Sequence, residues 1–212
     1  MKDIIETIIL GAIIGVTVPL TLLVAGWFIS ASLSMVRLLF FPESLIPVAA
    51  FGGLGLGIGL DVFFLKRWAS QAHHFDLRLL SLLYLFYAPG LLAFFMGVPV
   101  FNLGLGVIAG MYIGWRCRRL EANEAQFQQQ ARQAGLFTAG VMGLIAVISG
   151  AIALNDPWTA ANLQGMFNLR TFTITPALIA GLVISGAPLL VLAQYWLARL
   201  AAIVAFHGWQ FR

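Results

Sequence analysis

Long apolar runs, broken by short polar or Pro/Gly-containing stretches, make up most of the chain. Six of them reach or nearly reach the ~20 residues a helix needs to cross ~30 Å of hydrocarbon. The pattern predicts an all-α polytopic membrane protein, a six-transmembrane-helix bundle forming a single integral membrane domain over residues 1–212. The spans are read at about 4–33, 45–65, 77–96, 100–115, 134–154 and 173–198, with Pro19, Pro89 and Pro188 inside the first, third and sixth. Helices are the default because lipid supplies no partner for a free backbone amide. A β-barrel would need ten-residue segments of alternating polarity, and none is found.

Two connections depart from the apolar pattern. Residues 116–133 (RCRRLEANEAQFQQQARQ) form the only long polar stretch and are rich in helix formers, so they are read as a cytoplasmic polar arm extending the fourth helix. Residues 155–173 open with Asp156-Pro157, a helix-start signal. Leu163, Met166, Phe167 and Arg170 then fall at helical spacing. An outer amphipathic loop carrying a short surface helix is expected there.

Charge sets the orientation. With the N-terminus inside, the inner segments hold Lys2, Lys66, Arg67, Arg78, Arg116, Arg118, Arg119, Arg132, Arg199 and Arg212, which is ten of the twelve basic residues; only Arg37 and Arg170 lie outside. The positive-inside rule therefore places both termini in the cytoplasm. Five spans or seven would spoil that partition. Trp68, Trp115 and Trp196 mark the inner boundary, and Trp27 and Trp158 the outer. The chain is 61% hydrophobic and 9% charged, against roughly 25% charged in soluble domains. The excess of +4 is thus a matter of topology, not of nucleic-acid binding. Lys2 and Asp3 precede an apolar run too long for a signal peptide and lacking an A-x-A site, so the first helix is expected to stay as an anchor. The setting expected is a cell membrane, of the bacterial or archaeal plasma-membrane type.

Glycine patterning suggests how the helices meet. Gly53 and Gly57, with Asp61, stack at four-residue intervals on one side of the second span, and Gly55 and Gly59 form a second ridge. Gly106, Gly110 and Gly114 repeat the spacing on the fourth. Small residues at this spacing let helices approach closely, and Gly53/Gly57 is expected to pack in parallel on Gly106/Gly110. Both segments contain Leu-Gly-Leu-Gly, at 54–57 and 103–106. That admits a duplicated hairpin of the kind known in transporters.

Asp61 is the only acid well inside a span. It lies roughly 7 Å along the axis from Lys66, and an acid in a span costs about 2.5–3.5 kcal/mol on insertion scales, less near the interface. One reading is a proton or cation site. The other is a structural ion pair with Arg199 or Arg116, or hydrogen bonding to Tyr112 or Tyr195. The GIGLD segment differs by one inserted residue, Leu60, from the GxGD pattern of intramembrane aspartyl proteases and prepilin peptidases, and no second acid lies inside a span to complete a dyad.

Other chemistry is not found. There is no P-loop, G-x-S-x-G or H-E-x-x-H, and the alternating Ser30, Ser32 and Ser34 have no base nearby in sequence. His73, His74 and His207 fall at the inner face and read as solvated. The single Cys117 excludes an internal disulfide; it is either an inert thiol or a lipidation site. No catalytic, metal or cofactor constellation is expected, and the chain is not read as an enzyme. The expected partners are the lipid bilayer, other membrane subunits or further copies of the chain, and a small-molecule ligand, with no nucleic acid. Two functions remain open, a small-solute transporter or its membrane substrate-binding component, and a non-catalytic scaffold or assembly factor. The first is supported by the internal prolines Pro19, Pro89 and Pro188, whose breaks free backbone groups that can line a cavity, with Asn102, Thr175, Asn155 and Asp156 near its mouth. In size and topology only, the chain resembles the substrate-binding components of energy-coupling-factor vitamin transporters.

Overall fold

The structure, a computed structural model, describes residues 2–36, 42–95, 97–166 and 173–208. Arg37, Phe167, Arg170 and Arg212 lie outside the described residues, as do the side chains of Lys2, Glu6 and Met166. The fold is all-α, with no strand among the described residues, and six of its helices are long and apolar enough to cross a membrane. That is the architecture of a multi-pass membrane protein in lipid. Two compact units form, residues 1–75 and 76–212.

The first unit is a helical hairpin. α1 (Lys2–Val36) and α2 (Leu45–Gln71) run antiparallel, and a single 3₁₀ turn, Ala72–His74, follows. Their seam is built from small residues. A Cβ added to Gly26 would lie 2.5 Å from the Ala49 carbonyl oxygen, one on Gly53 would lie 2.8 Å from the Leu22 carbonyl carbon, and one on Gly57 would lie 2.9 Å from the Pro19 nitrogen. The register therefore descends α1 as it ascends α2. Within α1 the hydroxyls of Thr17, Thr21 and Ser30 donate to the carbonyls of Ile13, Thr17 and Gly26 at 2.6–2.7 Å, the usual way a spanning helix satisfies such groups. α2 extends six residues past the expected 65, so Lys66 and Arg67 sit in the helix and not beyond its end.

The second unit centres on three helices. α3 (Leu77–Phe94) is N-capped by Asp76, whose Oδ1 accepts from the Arg78 amide at 2.9 Å, and it buries only Ala88. The chain then turns through Gly97 at φ +82°, where glycine carries no Cβ penalty. A 3₁₀ stretch, Pro99–Asn102, leads into α4 (Leu103–Arg119). Next come α5 (Glu124–Asn155), the short α6 (Thr159–Met166) and α7 (Pro176–His207). Thr175 caps α7 by accepting from the Leu178 amide at 3.3 Å, with Pro176 in the first turn.

The polar stretch at 116–133 corrects an expectation. It prolongs the fourth helix by only one turn. α4 stops at Arg119, Glu121 adopts a left-handed φ of 51°, and α5 starts at Glu124. The reason is local. Asn123 accepts from the Gln126 amide at 2.9 Å, and the Gln126 side chain accepts from the Asn123 amide at 3.2 Å, a reciprocal capping box that starts a new helix. The helix formers at 124–133 are thus the opening turns of α5. α7 likewise runs to His207, past the expected 198.

The core of this unit lies where α4, α5 and α7 meet. Phe127, Ala131, Ala198 and Ala202 are fully buried, and Cys117 and Met142 nearly so. Phe127 stacks on Phe206 with ring centroids 4.0 Å apart. Arg118 donates to the Ala205 carbonyl at 3.2 Å, satisfying an otherwise open group in the last turns of α7.

Candidate functional site

Polar side chains lie inside the apolar helices in both units, and these are the places where chemistry can occur at membrane depth. In the first unit Asp61 continues the side of α2 that carries Gly53 and Gly57. It keeps 9% of its accessible surface. Gly15 of α1 faces it, since a Cβ built there would lie 3.9 Å from Asp61 Oδ2 and 3.4 Å from Leu65 Cδ2. Oδ1 has no hydrogen-bond partner among the described residues. Glycine at position 15 leaves room for the carboxyl and for Leu65 on the next turn of α2.

The other members of the expected polar site, Arg199, Arg116, Tyr112 and Tyr195, belong to the second unit. Arg199 donates to Gln128 Oε1 at 3.2 Å, lies 3.5 Å from the Tyr195 hydroxyl, and rests 5.8 Å from the Trp196 ring centroid. Gln128, an α5 residue, did not figure in the sequence reading. Tyr112 and Arg116 sit one turn apart on α4, with Tyr112 against the core cluster around Ile113 and Phe127.

A second polar group lies deeper in this unit. Gln194 of α7 is fully buried against Gly106 of α4, and its Nε2 donates to the Tyr84 hydroxyl of α3 at 2.9 Å. Asn102, 2% exposed, precedes Gly106 by four residues and donates to the Ala88 carbonyl at 3.1 Å. Gln194 Oε1 and Asn102 Oδ1 are both buried without a partner among the described residues. Thr138 of α5 is fully buried and donates to the Gly135 carbonyl at 3.2 Å. The two free acceptors are uncharged amide oxygens, and Tyr84, accepting from Gln194, retains its own O–H to donate. The sequence did hold a signal for Gln194. Gln194, Ala198 and Ala202 recur every four residues, matching Gly106, Gly110 and Gly114 on α4.

Two of the glycine ridges are occupied within their own unit. Gly53 and Gly57 meet Leu22 and Pro19 of α1, while Gly106, Gly110 and Gly114 meet Gln194, Ala198 and Ala202 of α7. The α4 and α7 residue numbers rise together, so this seam is parallel, whereas the α1–α2 seam is antiparallel. Within its own unit Gly53/Gly57 thus packs on α1 and Gly106/Gly110 on α7. Gly55 and Gly59 meet nothing within 4 Å among the described residues. With Gly52, Leu56 and Phe63 they line an open apolar groove of about 510 Å³.

His207 lies 3.9 Å from Glu124, an exposed contact. Cys117 is buried in the core, out of reach of a lipid-transferring enzyme. No three His, Cys, Asp or Glu side chains come together among the described residues.

No family model matches the chain, and no curated protein or solved structure is similar to it.

Proposed function

We propose that this multi-pass membrane protein is a carrier of small polar solutes, or the membrane component that binds the solute for one. The supporting observation is two buried amide oxygens without partners among the described residues, Gln194 Oε1, on the side chain that donates to Tyr84, and Asn102 Oδ1. Buried amide oxygens without partners are rare in folded proteins, and their desolvation is costly unless something completes them. A solute rich in hydrogen-bond donors, neutral or cationic, would complete two acceptors. An anion would not, because it brings acceptors of its own. In this reading the protein lies in a plasma membrane with both termini cytoplasmic, as the distribution of basic residues directs.

The test is ligand-induced stabilisation of the purified protein in detergent against a panel of amides, polyols, amino acids and vitamins. A ligand at 100 times its Kd adds about 2.7 kcal/mol to stability. A stabilising solute whose effect disappears in Gln194→Leu supports the reading. If no solute stabilises the wild type, or the effect persists in Gln194→Leu, the reading fails. Separately, cytoplasmic placement of 116–132 predicts that a cysteine introduced there resists impermeant labelling in intact cells.

The open groove on α2 favours a second reading, that of a non-catalytic scaffold. Gly55 and Gly59 keep the spacing at which spanning helices dock closely. Gly55→Leu leaving transport intact while dissociating a larger complex would favour the scaffold.

A further inference from the structure

Asp61 is not needed by the solute group just described, and its surroundings define a different chemistry. It lies in the seam between α1 and α2, nine-tenths buried, with Gly15 opposite and Oδ1 without a partner among the described residues. The charged and titratable groups of the packed elements lie further along the axis or off the Asp61 face. α1 has none among its described side chains, residues 8–35; its Lys2, Asp3 and Glu6 belong to turns well before Gly15. On α2, Lys66 and Arg67 follow one to two turns on, and Lys66 is rotated off the Asp61 face. His73 and His74, in the 3₁₀ turn after α2, are roughly 18 Å away along the axis.

We propose that the Asp61 carboxyl binds and releases one proton inside the α1–α2 seam. The step is an acid–base equilibrium: hydronium gives its proton to a carboxylate oxygen, leaving water and a neutral carboxyl, and release reverses it. Two observations select a proton over a metal ion. A hard cation such as Ca²⁺ takes six to eight oxygen ligands, while the α1 residue facing this carboxyl, Gly15, brings no side-chain oxygen, and Oδ1 has no partner among the described residues. No further acidic or imidazole side chains join it into a cluster of three among the described residues. Protonation also removes the charge whose burial in apolar surroundings is unfavourable. That this proton is coupled to solute movement rests on the carrier reading above; the binding site itself does not.

The experiment is carbodiimide labelling of the purified, detergent-solubilised full chain. Dicyclohexylcarbodiimide adds to protonated carboxyls in apolar surroundings and spares ionised ones. Peptide mapping of wild type across a pH series should place a single adduct at Asp61, with labelling that falls as pH rises. Asp61→Asn should reduce it to background and Asp61→Glu should restore it. An Asp61 that stays unlabelled at every pH is ionised and paired, which overturns the proposal. So does labelling blocked by sodium ions at constant pH, which marks a cation site instead. Because the wild-type map reads the site directly, poor folding of a variant leaves the proposal exposed to refutation. No solute enters the assay, so failure of the carrier reading leaves this outcome unaffected.

Discussion

Replacing Gly110 by alanine tests the closest approach in the second unit. A Cβ at this position would lie 2.8 Å from the Ala198 carbonyl carbon and 3.0 Å from its Cα, in addition to meeting the carbonyl oxygen. These are backbone atoms in the middle of a long helix, so no side-chain rotation relieves the overlap. Overpacking of this kind costs about 1–3 kcal/mol. Alanine recovers roughly 0.5–1 kcal/mol through its better helix propensity. The net expectation is a loss of about 1–2 kcal/mol, since both contacts are with an unyielding partner. At 2–4 °C per kcal/mol for a chain of this size, the apparent melting temperature in fixed detergent should fall by about 2–8 °C. The control is Gly140→Ala on α5, an exposed position with nothing within 4 Å of the added carbon. It should leave melting unchanged or raise it slightly. If Gly110→Ala melts at or above wild type, the close parallel seam between α4 and α7 is refuted.

Tyr84→Phe and Gln194→Met should be non-additive in a double-mutant cycle by about 0.5–1.5 kcal/mol, because each removes one side of the same buried hydrogen bond; additive thermal shifts would deny the contact. Phe127→Ala removes a fully buried ring stacked on Phe206 and should cost about 3–5 kcal/mol, seen as loss of monodisperse protein on size exclusion. A folded yield equal to wild type would count against that core. Cys117, 1% exposed, should resist maleimide in the folded protein and react fully after denaturation. Rapid modification of the native protein would contradict its burial.

The hydrophobic pattern carried the architecture well because a spanning helix is written into one continuous stretch of residues. All six long helices overlap the spans read from sequence. Their ends were less legible. α2, α5 and α7 continue into polar residues, and hydropathy marks where the lipid stops, not where the helix stops. Residues 124–133 show the limit clearly: their helical propensity was visible, but the assignment to α5 depends on the Asn123–Gln126 capping box and a left-handed Glu121. The site was legible in part. Asp61 stood out because one acid in an apolar run is conspicuous, whereas Gln194 and Tyr84 gain their meaning only from a contact across 110 positions. Glycine spacing alone names no partner: Gly53 and Gly57 meet α1, Gly106, Gly110 and Gly114 meet α7, and Gly55 and Gly59, at the same spacing, meet nothing within 4 Å among the described residues.

The parallel seam between α4 and α7 also has a consequence for biosynthesis. Gly106, Gly110 and Gly114 leave the ribosome some ninety positions ahead of the residues that cover them, and chains are made from the N-terminus onward. Until α7 arrives, a nascent chain holds α4 with its grooved side bare to lipid and Phe127 without its stacking ring. Quality-control proteases that patrol the membrane would meet that half-built form first, so a chain stalled just before Pro176 should be short-lived in a pulse-chase, while one extended through His207 should persist.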